Sequence, residues 1–579
     1  MKLRGLWLFS LFISCVSAGN AASLDREVFT FTRYDLDVRV EPEQQRLGVR
    51  GKITLRNDSA TPQKIVVLQI SSSLSWRSIT AGGKQLQFVS QPYTSDIDHT
   101  GALSEAIVTL PEAVSPKGSV DLEIAYEGVI VLDATRLTRI GAPEAAARSS
   151  DWDQISANFT AVRGVGNVAW YPVATEAADL AEGKNLFEIL GRWKAREAAS
   201  KMHLKIGVFR DDGQRPPELL VNEASCFVMY EAMGRAQKVS ADCTYQQLGL
   251  VIPTFAMANF ELVERSGIDL YYLRSHDIAA TAYADAAEKV IPFITEWFGA
   301  PRAKARTADL ADANAAPFES GSWLLTPLTS TDLKLSGLAA AHQLTHAAFT
   351  SPRPWIDEGL AHFAQALYIE RQSGRQAALD YMGLHRSALS AAEKEKPATV
   401  PRPEDEVNRS LINTYDEELY RSKAMCVWWM LRDLVGEPGL KKALAAYRAD
   451  DDKEPSYMQR LIQAQTQHDL EWFFDDWVYR DRGLPDFKVA SAFAHQTSVD
   501  VYLLTITVDN LGAAGAEVPL TVQFAGGVVT KRIVVRGKSN AVIRVEVPKP
   551  PEEIVVNDGS VPESDMTNNV FKIEGAATK

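Results

Sequence analysis

Cysteine is scarce in this sequence, with four residues among 579. So few thiols exclude both a disulfide-rich scaffold and a cysteine-bound metal centre. Cys226 and Cys243 lie near each other in a stretch with β-strand patterning, and an oxidising compartment could pair them. Cys426 lies among aliphatic and aromatic residues in a helical pattern, which indicates a buried core thiol.

Basic residues do not predominate either. The chain has 61 lysines and arginines against 74 aspartates and glutamates, which gives a net charge of −13. Because this charge repels phosphate backbones, nucleic acid is not an expected partner. Long glycine-serine runs and single-sign charge runs are also missing, and 46% of the residues are hydrophobic, so the chain is expected to fold into packed domains.

Long hydrophobic runs are missing as well, and no segment approaches the roughly 20 apolar residues of a membrane-spanning helix. The N-terminus has two basic residues, then the shorter apolar run of residues 6–16, then small-residue sites ending at Ala18 and Ala22. This order is typical of a secretory signal peptide, so residues 1–22 are predicted to be removed and the protein to be secreted or periplasmic. A lipoprotein anchored at Cys15 is the minor alternative.

The hydrophobic pattern divides the mature chain into three domains. Apolar and polar residues alternate over residues 23–254, which predicts a β-sandwich or a saddle-like sheet. Over residues 255–484 the period changes to three or four, as in the amphipathic helix that ends at Gly299, which predicts an α-rich domain. Residues 485–579 return to alternation and predict a small β-sandwich. The predicted fold class is a multidomain α+β protein.

Two histidines four residues apart, His342 and His346, are the first candidates for chemistry. They share one face of a predicted helix. Ser336 is placed to cap the N-terminus of this helix. Two imidazoles at this spacing can bind one Zn²⁺ at about 2.0 to 2.1 Å each.

A carboxylate follows in the next predicted helix. Pro354 begins this helix and Glu358 lies in its first turns, while the short proline-rich link lets the two helices pack together. An oxygen of Glu358 would complete a His/His/Glu zinc site with one open position for water. The alternative is an N-terminal helix carboxylate favoured by the helix dipole.

The segment from Trp355 to Ala361, W-I-D-E-G-L-A, resembles the W-L-x-E-G-F-A helix of the gluzincin zinc aminopeptidases, the aminopeptidase N and leukotriene A4 hydrolase group. The resemblance covers nearly the whole mature chain. It implies a thermolysin-like catalytic domain over residues 255–484, Zn²⁺ as cofactor, and peptides or protein N-termini as partners. The segment around Glu319 stands where the family has G-x-M-E-N, so the resemblance implies that Glu319 binds the free α-amine of the substrate. A surface turn carboxylate is the alternative.

The chain departs from the family pattern at Gln343, which stands in place of the glutamate of HExxH. An amide has no usable basicity for accepting the proton of a metal-bound water. The resemblance therefore implies a site that keeps its metal ligands and lacks its general base.

The spacing of the third ligand also departs from the family. Glu358 follows His346 by 12 residues, whereas the family's longer gap would place the ligand near Gln365. The E-G-L-A context favours Glu358 and implies a shortened link between the helices. His362, four residues after Glu358, is predicted to lie on the rim of the cleft, with a further ligand or a partner of a ligand as the alternatives.

The family's oxyanion-stabilising tyrosine segment, Y-x-K-G, has a partial match with one extra residue before Lys423. Either Tyr420 fills the role through a local shift, or alignment on Lys423 puts Arg421 there and the tyrosine is lost.

The sequence supports three functions. The leading one is an exported protein of the aminopeptidase N type that binds zinc and peptides but hydrolyses them weakly or not at all. One alternative is an active aminopeptidase in which another carboxylate, Asp357 or Glu319, activates water. The other is a non-catalytic peptide- or protein-binding module.

Overall fold

A computed structural model of the chain describes most of its residues. The predicted signal peptide, including Cys15, lies outside the described residues. These are residues 24–182, 185–210, 217–222, 226–233, 236–249, 251–301, 304–394, 410–412, 414, 416, 418–498 and 501–573.

The N-terminal region is built from fourteen described strands in three sheets. Its alternating sequence gives β1 one buried face, where Tyr34, Leu36 and Val38 are buried and the residues between them are exposed. The eight-stranded sheet has the order β12-β13-β10-β1-β2-β8-β4-β5, and the two smaller sheets have the orders β3-β7-β6 and β11-β14-β9. The strands are β1 Phe29–Glu41, β2 Arg46–Asn57, β3 Gln63–Ser71, β4 Leu74–Ala81, β5 Lys84–Gln85, β6 Gln87–Thr94, β7 Ala102–Val114, β8 Ser119–Val129, β9 Phe159–Val162, β10 Lys201–Arg210, β11 Glu218–Val221, β12 Phe227–Met233, β13 Ala236–Tyr245 and β14 Phe255–Ala258.

Three short helices accompany these sheets: α1 Thr135–Arg139, α2 Glu144–Ser150 and α3 Asn185–Arg196. Strand β14 pairs with β9 and β11, so residues 255–258 belong to this β region in the structure. The exact domain bounds given by the sequence stay predictions.

The middle of the chain combines a five-stranded sheet with helices. The sheet has the order β15-β16-β17-β19-β18, in which β16, β17 and β19 run parallel and β18 is an antiparallel edge strand. Its strands are β15 Glu261–Arg265, β16 Ile268–Tyr272, β17 Ala305–Asp309, β18 Phe318–Ser320 and β19 Trp323–Thr326. The helices are α4 Asp277–Phe298, α5 Leu333–Ala348, α6 Pro354–Ser373, α7 Arg375–Gly383, α8 Arg386–Lys394, α9 Ala424–Val435, α10 Glu437–Ala446, α11 Tyr457–Gln463 and α12 Glu471–Phe474, with π-helical turns at Glu418–Lys423 and Asp475–Tyr479.

Helix α4 packs its apolar stripe into the core and ends before Gly299, which has a φ of 88°. Helix α5 begins one residue after Asp332, whose carboxylate accepts hydrogen bonds from the backbone N–H groups of Lys334 and Leu335. The cap predicted at Ser336 is therefore wrong, because Ser336 already lies inside the helix and is buried.

The C-terminal region is a β-sandwich of two sheets. The sheets have the orders β20-β21-β24 and β23-β22-β25-β26. Their strands are β20 Phe487–Ser498, β21 Val501–Asn510, β22 Ala516–Phe524, β23 Gly527–Val535, β24 Ser539–Val547, β25 Pro551–Val556 and β26 Val570–Lys572. Its core is continuous with that of the helices, since Trp477, Phe487 and Val518 belong to one buried cluster. This order of β, α-rich and β regions confirms the predicted multidomain α+β fold class.

Cys226 and Cys243 form a disulfide across the edge of the eight-stranded sheet, where β12 pairs with β13. Cys426 is a free, buried thiol in α9. Within the described residues, no helix is long and apolar enough to cross a membrane.

Cys426 should resist alkylation in the native protein, because its burial raises the pKa of the thiol to about 12. Treatment with iodoacetamide at pH 8, followed by peptide mapping, should leave Cys426 unmodified until denaturant is added. Cys226 and Cys243 should appear as a linked peptide without reductant. Rapid native labelling of Cys426 would contradict the buried position.

Candidate metal centre

Helix α5 places His342 and His346 one turn apart on the same face. Their Nε2 atoms are 3.3 Å apart, and both residues are buried. Two nitrogens of a tetrahedral site, each about 2.0 to 2.1 Å from the ion, are separated by about 3.3 Å. The pair therefore has the spacing of two ligands of one metal ion.

Helix α6 brings Glu358 to this pair. Residues 349–353 form a short link, and Pro354 begins the helix, so α6 packs directly on α5. The Glu358 carboxylate has Oε2 at 3.8 Å from His342 Nε2 and Oε1 at 4.0 Å from His346 Nε2. These distances leave room for an ion after a small movement of the carboxylate.

Gln365, the position favoured by the family's longer gap, is engaged elsewhere. Its amide donates to the carbonyl oxygen of Leu338 and accepts from the hydroxyl of Tyr381. The structure thus brings Glu358, and not Gln365, to the histidines.

Glu319 reaches the same histidines from the sheet. It lies on edge strand β18, and its Oε2 is 2.9 Å from His342 Nε2. Its Oε1 is buried and, within the described part of the chain, has no hydrogen-bond partner. An unpaired buried carboxylate oxygen is costly, so this atom is available to a cationic ligand.

Asp357 lies beside the second ring nitrogen of His346, Nδ1. Its Oδ2 is 3.3 Å from His346 Nδ1, and its Oδ1 accepts a hydrogen bond from the backbone N–H of Ser351. A carboxylate at the second ring nitrogen is the usual partner of a metal-binding histidine, because it fixes the ring and its tautomer. Asp357 is therefore placed to orient a ligand.

The charges around His346 and Glu358 determine their protonation. Burial lowers the pKa of His346, but the nearby carboxylates of Asp357, Glu319 and Glu358 outweigh it and raise this pKa to about 10. For Glu358, burial raises the pKa, but the Arg421 guanidinium and the neighbouring histidines outweigh it and hold this pKa well below its usual range. Glu358 is thus ionised, as a metal ligand must be.

His362 is partly exposed and lies beside these donors, where the predicted alternatives, a further ligand or a partner of a ligand, would place it. It is one helical turn after Glu358, and its ring centroid is 4.8 Å from that of His342. Its Nδ1 is buried and, among the described residues, unpaired. Burial first, and then the charge of His342, hold the pKa of His362 well below its usual value.

Gln343 faces the sheet and is completely buried. Its Oε1 accepts hydrogen bonds from the hydroxyls of Tyr283, at 3.1 Å, and Thr307, at 2.9 Å. Its Nε2 donates to the carbonyl oxygens of Arg306, at 2.7 Å, and Ser322, at 3.2 Å. All four hydrogen-bonding positions of the amide are therefore occupied, and Gln343 is a structural residue.

The tyrosine segment forms a π-helical turn, Glu418–Lys423, which accommodates its extra residue. Lys423 is buried against Glu393, at 2.5 Å, and Asp481. Arg421 contacts the candidate ligand Glu358, with Nε 3.3 Å from Oε2. The guanidinium of Arg421 lies 5.6 Å from the ring centroid of Tyr420. Arg421 thus lies between the candidate ligand Glu358 and the ring of Tyr420.

Two features of the site were not predicted from the sequence. The four partners of Gln343 lie 21, 36, 37 and 60 residues before it, and no local pattern marks them. The inward position of His362 did have a signal, since Glu358 and His362 have the same four-residue spacing as the two histidines of α5.

The described donors form two groups that share His342. In the first group, ligand atoms of Glu319, His342 and His346 all lie within 4.8 Å of one another, and in the second the same holds for His342, Glu358 and His362. The spacing, the unpaired Glu319 and His362 atoms and the support from Asp357 all fit a divalent metal ion. Arg421 is the one described neighbour that competes for Glu358.

Part of the helical region matches a known family model. Residues 352–477 match the family model described as Peptidase family M1 domain. This segment contains Glu358, His362 and Tyr420, and it begins after the histidines of α5. No curated protein sequence matches the chain.

A solved structure shares the fold. An M1 zinc metallopeptidase from Deinococcus radiodurans superposes with a TM-score of 0.50 at 16% sequence identity, over 80% of this chain and 97% of that chain. A mutant of an M1 zinc metallopeptidase from the same organism gives a TM-score of 0.49 at 15% identity, over 79% and 96% of the two chains. With the family match, this fold supports the resemblance to the gluzincin aminopeptidases.

Gln343→Glu should destabilise the protein, because a carboxylate would face the carbonyl oxygens of Arg306 and Ser322. The free energy of unfolding should fall by about 1–3 kcal/mol. Burial would raise the pKa of the new carboxyl in the folded state. The free energy of unfolding of the variant should therefore fall further as the pH rises. The loss, measured by denaturant unfolding against the parent protein, should be larger at pH 8 than at pH 5.

Gln343→Met is the matched control, since it removes the same hydrogen bonds and adds no titratable group. Its loss of stability should be the same at both pH values. If the loss of stability in Gln343→Glu were as independent of pH as in the control, it would contradict the buried environment described for this amide.

Proposed function

We propose that this chain, which carries a peptidase family M1 domain, is an exported zinc-binding protein of the aminopeptidase N type with weak or lost peptide hydrolysis. Its ligands are peptides or protein N-termini. The family match and the shared fold support the metallopeptidase architecture. Weak catalysis, peptide binding and export are inferred from the chain's own residues.

Gln343 is the observation that carries the proposal. An amide cannot accept a proton at neutral pH, and this one has all its hydrogen bonds directed to α4 and the sheet. Loss of a general base usually lowers a rate by roughly 10²- to 10⁴-fold. The chain thus lacks a proton acceptor at the position where its family has one.

His342, His346 and Glu358 are the residues that would hold zinc, with Asp357 fixing the His346 ring. When bound, zinc polarises a carbonyl oxygen and lowers the pKa of bound water. Arg421 partly neutralises Glu358, which weakens the negative charge offered to the ion.

Glu319 supports recognition of a peptide N-terminus. Its Oε1 is buried and unpaired among the described residues, and it lies on an edge strand beside the histidines. An α-ammonium group would give that oxygen a charge-assisted hydrogen bond. The same atom favours the second candidate function, an active aminopeptidase in which Glu319 replaces the missing base. Asp357 is a poorer candidate, because both its oxygens are already engaged.

Export is part of the proposal. It rests on the signal-peptide pattern of residues 1–22, and the Cys226–Cys243 disulfide supports an oxidising compartment.

The purified mature protein should contain about one Zn²⁺ per chain by metal analysis. His342→Ala should abolish this content, because His342 belongs to both donor groups. Gln365→Ala is the control and should keep its zinc, since its amide contacts Leu338 and Tyr381. Stoichiometric zinc in the His342→Ala protein would refute the assignment of the ligands.

Hydrolysis of aminoacyl-amides should be at least ~10²-fold slower than ordinary enzyme rates of roughly 1 to 10³ s⁻¹. Gln343→Glu should add almost nothing, because the new carboxylate would remain among the sheet partners of Gln343. Rates should be measured with and without chelator. A wild-type protein with ordinary, chelator-sensitive turnover that Glu319→Gln abolishes would instead establish the active aminopeptidase.

A further inference from the structure

His362 has a place in the site that neither the family pattern nor the proposed function gives it. It follows Glu358 by one turn on α6, so both side chains lie on the face that packs against α5. Ligand atoms of His342, Glu358 and His362 lie within 4.8 Å of one another. This second donor group involves both α5 and α6, and it shares His342 with the first group.

One nitrogen of the His362 ring lacks a hydrogen bond. Its Nδ1 is buried with no partner within the described residues. His385 has its ring centroid 6.2 Å away, but its Nδ1 is paired with the hydroxyl of Ser422. A buried polar atom without a partner destabilises the folded protein, and a bound ion would offset that cost.

We propose that His362 is an additional protein ligand of the metal in this chain, acting with His342 and Glu358. The inference rests on the metal binding of the proposed function and goes beyond its three ligands. His346 belongs to the other donor group, but its Nε2 lies 3.3 Å from that of His342, and with His346 included the ion would have four protein donors.

Four protein donors have a direct chemical consequence. A catalytic zinc usually has three protein ligands and an open position for water, whereas a structural zinc is closed by four. His362 would fill the position that water needs. The same site would then lack both its base, at Gln343, and its exchangeable water, which makes the metal a structural element of a binding protein.

Cobalt substitution tests this assignment in the full mature chain. Co²⁺ has visible absorption bands that change when the number or type of its ligands changes. The wild-type spectrum should not respond to added azide, because no position is open to an exogenous ligand. His362→Ala should lower the affinity for Co²⁺ and Zn²⁺ by at least ~10-fold and should make the cobalt spectrum respond to azide.

His385→Ala is the matched control: it removes a neighbouring histidine outside both donor groups and should behave like wild type. His362→Cys gives a direct signature, a sulfur-to-cobalt charge-transfer band, and keeps the test valid if the alanine variant folds poorly. The other thiols should not contribute, since Cys226 and Cys243 are paired and Cys426 is buried.

The outcomes separate this inference from the proposed function. Cobalt binding that is unchanged in His362→Ala, an azide-sensitive wild-type spectrum, or a His362→Cys protein without the new band would each overturn the role of His362 and leave the other ligands standing. A wild-type protein that binds neither Co²⁺ nor Zn²⁺ would overturn both.

Discussion

The buried amide of Gln343 holds helix α5 against the sheet, and the geometry of the site depends on it. Its four hydrogen bonds connect α5 with α4, with β17 and with the residue just before β19. Because each buried donor or acceptor left unpaired costs about 1–3 kcal/mol, α5 cannot rotate or slide without breaking several such bonds. His342 precedes this residue directly, so its direction is fixed by the same bonds. The carbonyl of Ser322 belongs to the turn that follows Glu319, and the amide therefore also sets the distance between the strand and helix donors.

The site brings negative and positive groups close together where little solvent separates them. Three carboxylates, those of Glu319, Asp357 and Glu358, surround two histidines. Like charges so close together repel strongly unless cations lie among them. A protonated His346 and Arg421 supply positive charge without metal, and a divalent ion supplies it when bound. Metal binding must then displace a proton, as is general for histidine ligands.

The sequence was most informative where the chemistry is local. The spacing of His342 and His346 and the E-G-L-A context of Glu358 led to residues that the structure brings together, because a helix fixes the neighbours of a residue within one turn. It was least informative where a contact joins distant segments. The four hydrogen bonds of the Gln343 amide involve hydroxyls and carbonyls from distant elements. The spacing of residues in the sequence does not show that these elements are neighbours. The tyrosine segment lies between these cases, since an extra residue was visible but its accommodation as a π-helical turn, with Arg421 toward Glu358, needed the structure.

The continuous core of the helical region and the C-terminal sandwich bears on how the chain folds. Trp477 belongs to the buried cluster that extends into the sandwich, and its indole N–H donates to the carbonyl oxygen of Gly515. Asp433 of α9 adds an ion pair with Arg532 of β23. Elements that share one core are expected to unfold together, and these two regions share one. The N-terminal sheets centre on a second core, and a third buried cluster joins strands β9, β11 and β14 to the middle sheet. The donors on α5 and α6 therefore draw their rigidity partly from strands that contribute no residue to the site, and a change in the sandwich can loosen the metal centre from a distance.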